Sequence, residues 1–398
     1  MKPRAIVLIL AIAALAAKIY CAATTIGTAD VGFFYQFAQT IHEQGLLAMY
    51  QATAFFNHTP LIGWFSEAAY WLSGGVEEPA SKPIFVFYLR LPAIFADFFG
   101  VIALLWLQER TGRPNWWALA IYAASPVAFM VSGYHGNVDS VMAFGILLAG
   151  IACAMERPAL CGLFLGLACN IKVIPLILAP AFFFFWWHRG RTLRFIIPTA
   201  LTVLIGWSYP LFTIPSIFLK NVLGYGSIWG VWGITYLLRL TGHPALNKIA
   251  FAKTTPEQES IITGLKVLIV ILALALAWRR RKNEPIEIFQ TLALIWAVFF
   301  VFAPGFGAQY LAWIMPCFLV ANERWFAWLM GASSFALFVF YNTISHGMPW
   351  RQGLKVHSIA DQWTWALVFP WLVLTAFLVW QVRVALVKPV AELETLEV

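Results

Sequence analysis

A chain of 398 residues that is 61% hydrophobic, 17% aromatic and only 11% charged cannot cover a soluble surface with polar groups. The net charge is +8, but Lys and Arg gather in short loops between apolar runs. That is the pattern of cytoplasmic membrane loops and excludes a nucleic-acid surface as the explanation.

Apolar runs cover 5–23, 84–107, 116–132, 140–155, 159–171, 173–187, 195–212, 261–278, 286–303, 308–320, 325–341 and 363–382. At about 20 residues per span, they predict an all-α polytopic membrane protein with roughly twelve transmembrane helices, several of them short. Helices are the expected form because a backbone in lipid must satisfy its own hydrogen bonds. Run 5–23 is expected to be the first spanning helix and not a cleaved signal. With the N-terminus inside, alternate loops carry Arg110 and Arg113, Arg157, Arg189 with Arg191 and Arg194, Arg279 to Lys282, Arg324, and Arg383 with Lys388. This parity requires 159–187 to be a hairpin of two short helices turning near Lys172. The five cysteines (Cys21, Cys153, Cys161, Cys169 and Cys317) fall in or at the ends of apolar runs, without metal spacing, and read as small buried hydrophobes.

Three longer loops face outward on this reading: 24–83, 213–260 and 342–362. In the first, Phe33, Phe34, Phe37, Ile41 and Leu47 recur near helical spacing among polar residues, predicting an amphipathic helix over 31–50 lying in the interface plane. Trp229, Trp232 and Tyr236 mark the second loop as interfacial. The tail Glu392–Val398 is short and acidic and is expected to fray.

The chain has four aspartates, Asp30, Asp97, Asp139 and Asp361. An acid in or beside a membrane is costly and is by default a functional candidate. Asp30 follows the first helix; it reads either as an N-cap for the helix that starts near Val31 or as a general base, and the two are compatible. Asn57-His58-Thr59-Pro60-Leu61 reads as an extended turn whose Pro60 starts a helix, with Asn57 and His58 as sugar contacts. In Gly133-Tyr-His135-Gly-Asn137-Val-Asp139, Asn137 or Asp139 caps the following helix, or His135, Asn137 and Asp139 together touch a ligand. Lys172 in Asn170-Ile-Lys172-Val-Ile-Pro175 snorkels to the headgroups or holds a phosphate. Arg90 raises the same choice; Asp97, seven residues on, shares its face or pairs to another helix. Arg351 is solvated or binds phosphate. Gln309 and Tyr310 open a short helix and could hydrogen-bond a substrate, with an aromatic belt as the plain reading of Tyr310. No P-loop, dinucleotide fingerprint, HExxH or GxSxG context is present, so chemistry driven by a cytosolic nucleotide has no sequence support.

Four of these elements, in order between residues 24 and 180, carry a resemblance. They are the acid Asp30 in the first outer loop, the polar-Pro-Leu element Asn57–Leu61, the turn His135-Gly-Asn-Val-Asp139, and the hairpin Asn170-Ile-Lys172-Val-Ile-Pro175 running on to Pro180. The chain resembles the GT-C superfamily of polytopic glycosyltransferases. It is most similar to the branch with the asparagine-linked-glycosylation glucosyltransferases, the GPI mannosyltransferases and the phosphatidylinositol-mannoside mannosyltransferases. The resemblance implies a GT-C-like fold, with residues 1–212 as the catalytic module and 213–398 as a variable transmembrane module in one integrated membrane domain. It implies an inverting transfer of a hexose, mannose or glucose first, or of a pentose, from a polyprenyl-phosphate donor. The acceptor would be a lipid-linked or glycolipid molecule at the extracytoplasmic face. Asp30 would be the base, and no cofactor or metal would be needed. Some relatives carry a cation where this chain has Gly305-Phe-Gly-Ala-Gln309, which shifts phosphate binding to Lys172, Arg90 or Arg351. The expected setting is a bacterial inner membrane, with the endoplasmic reticulum as the alternative; the expected partners are membrane lipids. A transporter or flippase of lipid-linked sugars is the rival reading, although no second half mirrors the broken hairpin.

Overall fold

The computed structural model describes residues 2–75, 83–224, 228–250, 253–353 and 357–394. Parts of the three long loops and the last four residues of the acidic tail lie outside them. The described chain is helical. In order come α1 (Pro3–Thr24), α2 (Ala29–Gln44), α3 (Leu46–Ala52), α4 (Pro60–Leu72), α5 (Pro83–Thr111), α6 (Trp116–His135), α7 (Asp139–Ala154), α8 (Pro158–Cys169), α9 (Ile174–His188), α10 (Thr192–Thr213), α11 (Pro215–Leu223), α12 (Gly233–Leu240), α13 (Pro256–Arg279), α14 (Pro285–Phe302), α15 (Ala308–Ala321), α16 (Glu323–Ile344) and α17 (Thr364–Ala385).

Among the described residues eight helices are long and apolar enough to cross a membrane, namely α1, α5, α6, α10, α13, α14, α16 and α17; α7, α8, α9 and α15 are shorter apolar helices. The protein is an all-α polytopic membrane protein, and its apolar helices coincide with the predicted runs. The hairpin required by loop charge is present as α8 and α9, joined through Asn170–Val173.

Burial follows composition. Every residue from Leu311 to Val320 in α15 is buried, and 67% of α14 is, against 17% of α10 and of α13. A helix apolar on all sides is stable at the centre of the bundle, whereas partly covered helices leave their outer faces to lipid. Where α8 meets α10, Gly162 and Gly166 make close approach possible: a Cβ on Gly162 would stand 2.2 Å from the Phe195 carbonyl oxygen. Small residues four apart serve this purpose in membranes, where tight packing replaces the hydrophobic drive.

The predicted helix over 31–50 is two helices. Gly45, at φ +87°, breaks the run between α2 and α3 because the left-handed region is cheap only for glycine. Phe34, Phe37 and Ile41 are buried as the apolar stripe requires, while Phe33 stands exposed and stacks on Phe55. Pro60 does start α4, at its first turn after an extended Thr59. Inside the bundle, Lys18 of α1 pairs with Asp97 of α5 at 2.6 Å, and Ser132 of α6 donates to the same carboxylate oxygen at 2.6 Å. Asp97 therefore pairs with another helix and not with Arg90.

Candidate active site

The C-terminal ends of α1, α6, α8, α14 and α16 meet the N-terminal ends of α2, α4, α7, α9 and α15 at one end of the bundle. Asp30 sits there in the first turn of α2. It is not the N-cap; Thr28 holds that position and donates its hydroxyl to the His135 carbonyl at 2.9 Å. The Asp30 side chain is 35% exposed, and its Oδ2 accepts from His135 Nε2 at 3.0 Å and from Asn137 Nδ2 at 2.9 Å. Both donors go to Oδ2, and among the described residues Oδ1 accepts no hydrogen bond. Burial works against the carboxylate, but the adjacent His135 ring and its hydrogen bond, the Asn137 amide and the charge of Lys172 outweigh it, holding Asp30 below its ordinary range.

The turn after α6 makes this possible. The last turn of α6, Phe129–His135, is π-helical, a distortion common at functional sites. Gly136 then takes φ +85°, and a Cβ there would stand 2.5 Å from Val31 Cγ2. The amide of Val138 donates to Asn137 Oδ1 at 2.7 Å, which turns Asn137 Nδ2 toward Asp30. Neither Asn137 nor Asp139 caps α7, whose N-cap position is Val138. Behind the turn, Tyr341 of α16 places its hydroxyl 2.9 Å from His135 Nδ1.

Asp139 is fully buried and serves a different partner. Its Oδ1 accepts from Lys172 Nζ at 2.8 Å and from Trp313 Nε1. Lys172 lies 5.5 Å from the Tyr310 ring centre and 5.4 Å from that of Trp313, two rings stacked 4.0 Å apart. Lys172 thus neither snorkels freely nor stands alone; a carboxylate and two aromatic faces aim it. Gln309 is half-buried beside Tyr310.

Asn57 and His58 precede α4 on the same side and are half-buried. The His58 ring packs on Phe34 at 5.0 Å and near Phe56 and Phe37. Burial, then the charge of Lys172, push its pKa down to about 3 against the opposing pull of Asp30. It is a neutral imidazole near Asp30, suited to hydrogen bonding and not to carrying charge. The neighbouring Thr59 hydroxyl donates to the Asn170 carbonyl, tying this element to the Lys172 hairpin.

Arg90, expected among the phosphate cations, is instead fully buried and braces the site. It donates to Thr25 Oγ1 at 2.9 Å and to the Tyr134 carbonyl at 2.6 Å. Gly27, at φ +92°, allows this, since a Cβ there would meet Arg90 Nη2 at 2.1 Å. Arg351 has an exposed side chain, and its carbonyl accepts from the Ile26 amide at 2.8 Å, so its backbone lies beside the Asp30 loop. Asp361 is elsewhere, paired with Arg239.

Tyr341 is the residue that sequence reasoning does not single out, and Trp313 reads there only as part of an aromatic belt. Each lies in an apolar run where an aromatic residue is the ordinary filling, and each is more than 170 positions from the side chain it holds. Among the described residues no three His, Cys, Asp or Glu side chains form a group able to hold a metal ion.

Residues 53–189 match the family model of the alpha-(1->6)-mannopyranosyltransferase N-terminal domain. No curated protein matches the chain. The matched third of the chain contains His58, Arg90, His135, Asn137, Asp139 and Lys172, whereas Asp30, Gln309, Tyr310, Tyr341 and Arg351 lie outside it. Over these residues the chain is similar to a mannosyltransferase family, and that similarity supports glycosyltransferase activity.

Proposed function

We propose that this protein is an inverting glycosyltransferase that moves a hexose, mannose first, from a polyprenyl-phosphate donor to a lipid-linked or glycolipid acceptor. The observation that carries this reading is the Asp30 carboxylate at the mouth of the bundle, fixed through Oδ2 with Oδ1 left open. In the reaction the acceptor hydroxyl oxygen attacks the anomeric carbon, and its proton passes to Asp30 Oδ1. The bond from that carbon to the phosphate oxygen breaks on the opposite side, which inverts the centre. Asp30 is a weak base because its pKa is lowered. It suits a reaction in which the proton leaves late, after the leaving phosphate has drawn charge off the sugar.

On this reading Lys172, its ammonium group held in position by Asp139, and Arg351 are the cations that meet the departing phosphate. Phosphate is already a good leaving group, so these charges can serve where other enzymes use a metal. His58 and Asn57, with Gln309 and Tyr310, are the sugar contacts of this reading. The basic alternate loops support an extracytoplasmic site, and a bacterial inner membrane fits the short loops.

The test is transfer of labelled sugar in nanodiscs containing EDTA, offering polyprenyl-phosphate mannose, glucose and pentose with a membrane lipid extract. Label should move from mannose donor to a new lipid with wild type and not with Asp30→Asn. Redistribution of donor across the bilayer without any new product would replace this reading with the flippase.

A further inference from the structure

We propose that Tyr341 is a positioning residue for this transfer, holding His135 as the neutral imidazole whose one proton sits on Nε2 and faces Asp30. The inference rests on the reading of Asp30 as the base. Tyr341 lies near the end of α16, in the half of the chain that the family match does not reach.

Tyr341 is fully buried, and its hydroxyl is 2.9 Å from His135 Nδ1. Its ring is wedged edge-on between Tyr134, at 5.5 Å, and the His135 ring, at 5.7 Å, with Trp350 at 5.6 Å. One turn on, at the C-cap of α16, Ser345 hydrogen-bonds the Tyr134 hydroxyl at 2.6 Å. Two adjacent rungs thus bind α16 to the π-helical turn, one through Tyr134 and one through His135.

The chemistry of the rung fixes the tautomer. A phenol hydroxyl has one proton to donate, and among the described residues Tyr341 has no other acceptor for it. Donation to Nδ1 makes that nitrogen the acceptor, so Nε2 carries the ring proton and donates it to Asp30 Oδ2. The opposite tautomer would turn a lone pair of Nε2 toward a carboxylate. An imidazolium would have to donate at Nδ1 and leave the buried phenol proton unbonded, which is costly where water does not reach. His135 is only 3% exposed, so solvent cannot rescue either alternative. The charged and titratable groups around this chain are Asp30 on α2, His58 before α4, Arg90 on α5, Tyr134 on α6, Asp139 on α7 and Lys172 after α8. Of these, only Asp30 hydrogen-bonds the His135 ring.

Removing the phenol hydroxyl would open Nδ1 to a proton. At acid pH His135 would become an imidazolium against Asp30, and the carboxylate would lose basicity. Tyr341→Phe should therefore lower kcat about tenfold, a small part of what general acid–base groups contribute, with donor KM unchanged. It should also move the acid limb of the kcat profile to higher pH. Ser345→Ala, which disturbs the neighbouring rung, should leave that limb in place.

The deciding measurement is 15N NMR of the full chain labelled at histidine, in nanodiscs, with His135 assigned by its absence in His135→Gln. A wild-type spectrum at neutral pH with Nε2 protonated and Nδ1 bare, lost in Tyr341→Phe, supports the proposal. Protonation at Nδ1, or at both nitrogens, overturns it. So does a Tyr341→Phe protein that keeps both the tautomer and the acid limb. If Tyr341→Phe fails to fold, the wild-type spectrum still decides. Retained transfer by Asp30→Asn would instead sink the base assignment while leaving the tautomer result intact.

Discussion

Asp30 and Asp97 are two carboxylates, each held through a single oxygen by two donors, and their surroundings set them apart. Asp97 lies inside the bundle, with a lysine as one of its two donors; its side chain is 13% exposed and that of Lys18 6%. Asp30 lies at the mouth, is 35% exposed, and takes its hydrogen bonds from an imidazole and an amide. A full countercharge in a closed site cancels an acid and makes it a clamp between helices. Two donors without a lysine among them, both on one oxygen, orient an acid and leave its other oxygen available. Membrane depth alone marks both as unusual; the donors and the access separate structure from chemistry.

The comparison breaks most sharply at Asp30. Asp30→Asn keeps the shape and both neighbours but removes the base, so transfer should fall by about 10³-fold or more, with helical content by circular dichroism unchanged. The same isosteric trade at Asp97 should spare turnover per folded molecule; if it silenced transfer as deeply as Asp30→Asn, the distinction would be gone.

At the clamp the loss should appear in stability instead. Lys18→Ala strands a buried carboxylate, which should cost about 3–5 kcal/mol, whereas replacing both partners by Met and Leu should cost much less. Unfolding midpoints in detergent measure both, and equal losses would argue against a charge-paired clamp.

Lys172 lies between the two cases: paired to a buried acid, yet at the site. Lys172→Ala removes a charge-assisted contact of about 1.5–3 kcal/mol, so donor KM should rise about 10- to 100-fold with a smaller change in acceptor KM. An unchanged donor KM would move the phosphate contact to Arg351.

A smaller effect concerns pH. The lowered pKa of Asp30 keeps it ionised, and that of His58, about 3, keeps it neutral, as pH falls from about 7 to 5. Turnover should stay level across that window; a limb near the ordinary histidine value would show an imidazole in control. Because folded His58 binds its proton only near pH 3 and the unfolded chain near 6.5, its contribution makes stability rise with pH between those values. His58→Gln should flatten that part of the stability profile.

Much of this molecule is legible in its residues. Apolar runs of spanning length place the helices because lipid leaves the backbone no other way to bond itself. Loop charge predicts the hairpin at Lys172 because Lys and Arg gather in loops on one side of the membrane, which fixes the parity of the spans. Local order also marks the polar turns: Asp30, His58, His135, Asn137, Asp139 and Lys172 stand out because polar groups are scarce in so apolar a chain. Which partner each meets depends on contacts between residues 33 to 107 positions apart. Asn137 reads as a cap until the fold brings Asp30 to its amide, and Arg90 reads as a phosphate ligand until Thr25 and the Tyr134 carbonyl surround it. Tyr341 is invisible locally and Trp313 reads only as aromatic belt, since an aromatic residue in an apolar helix is the ordinary filling of a membrane core. The sequence by itself determined where the chain crosses the membrane and which side chains are too polar to be there idly. Only the tertiary structure decided which of them share a proton, because hydrogen bonds act over about 3 Å and the helices that carry their partners are remote in the chain.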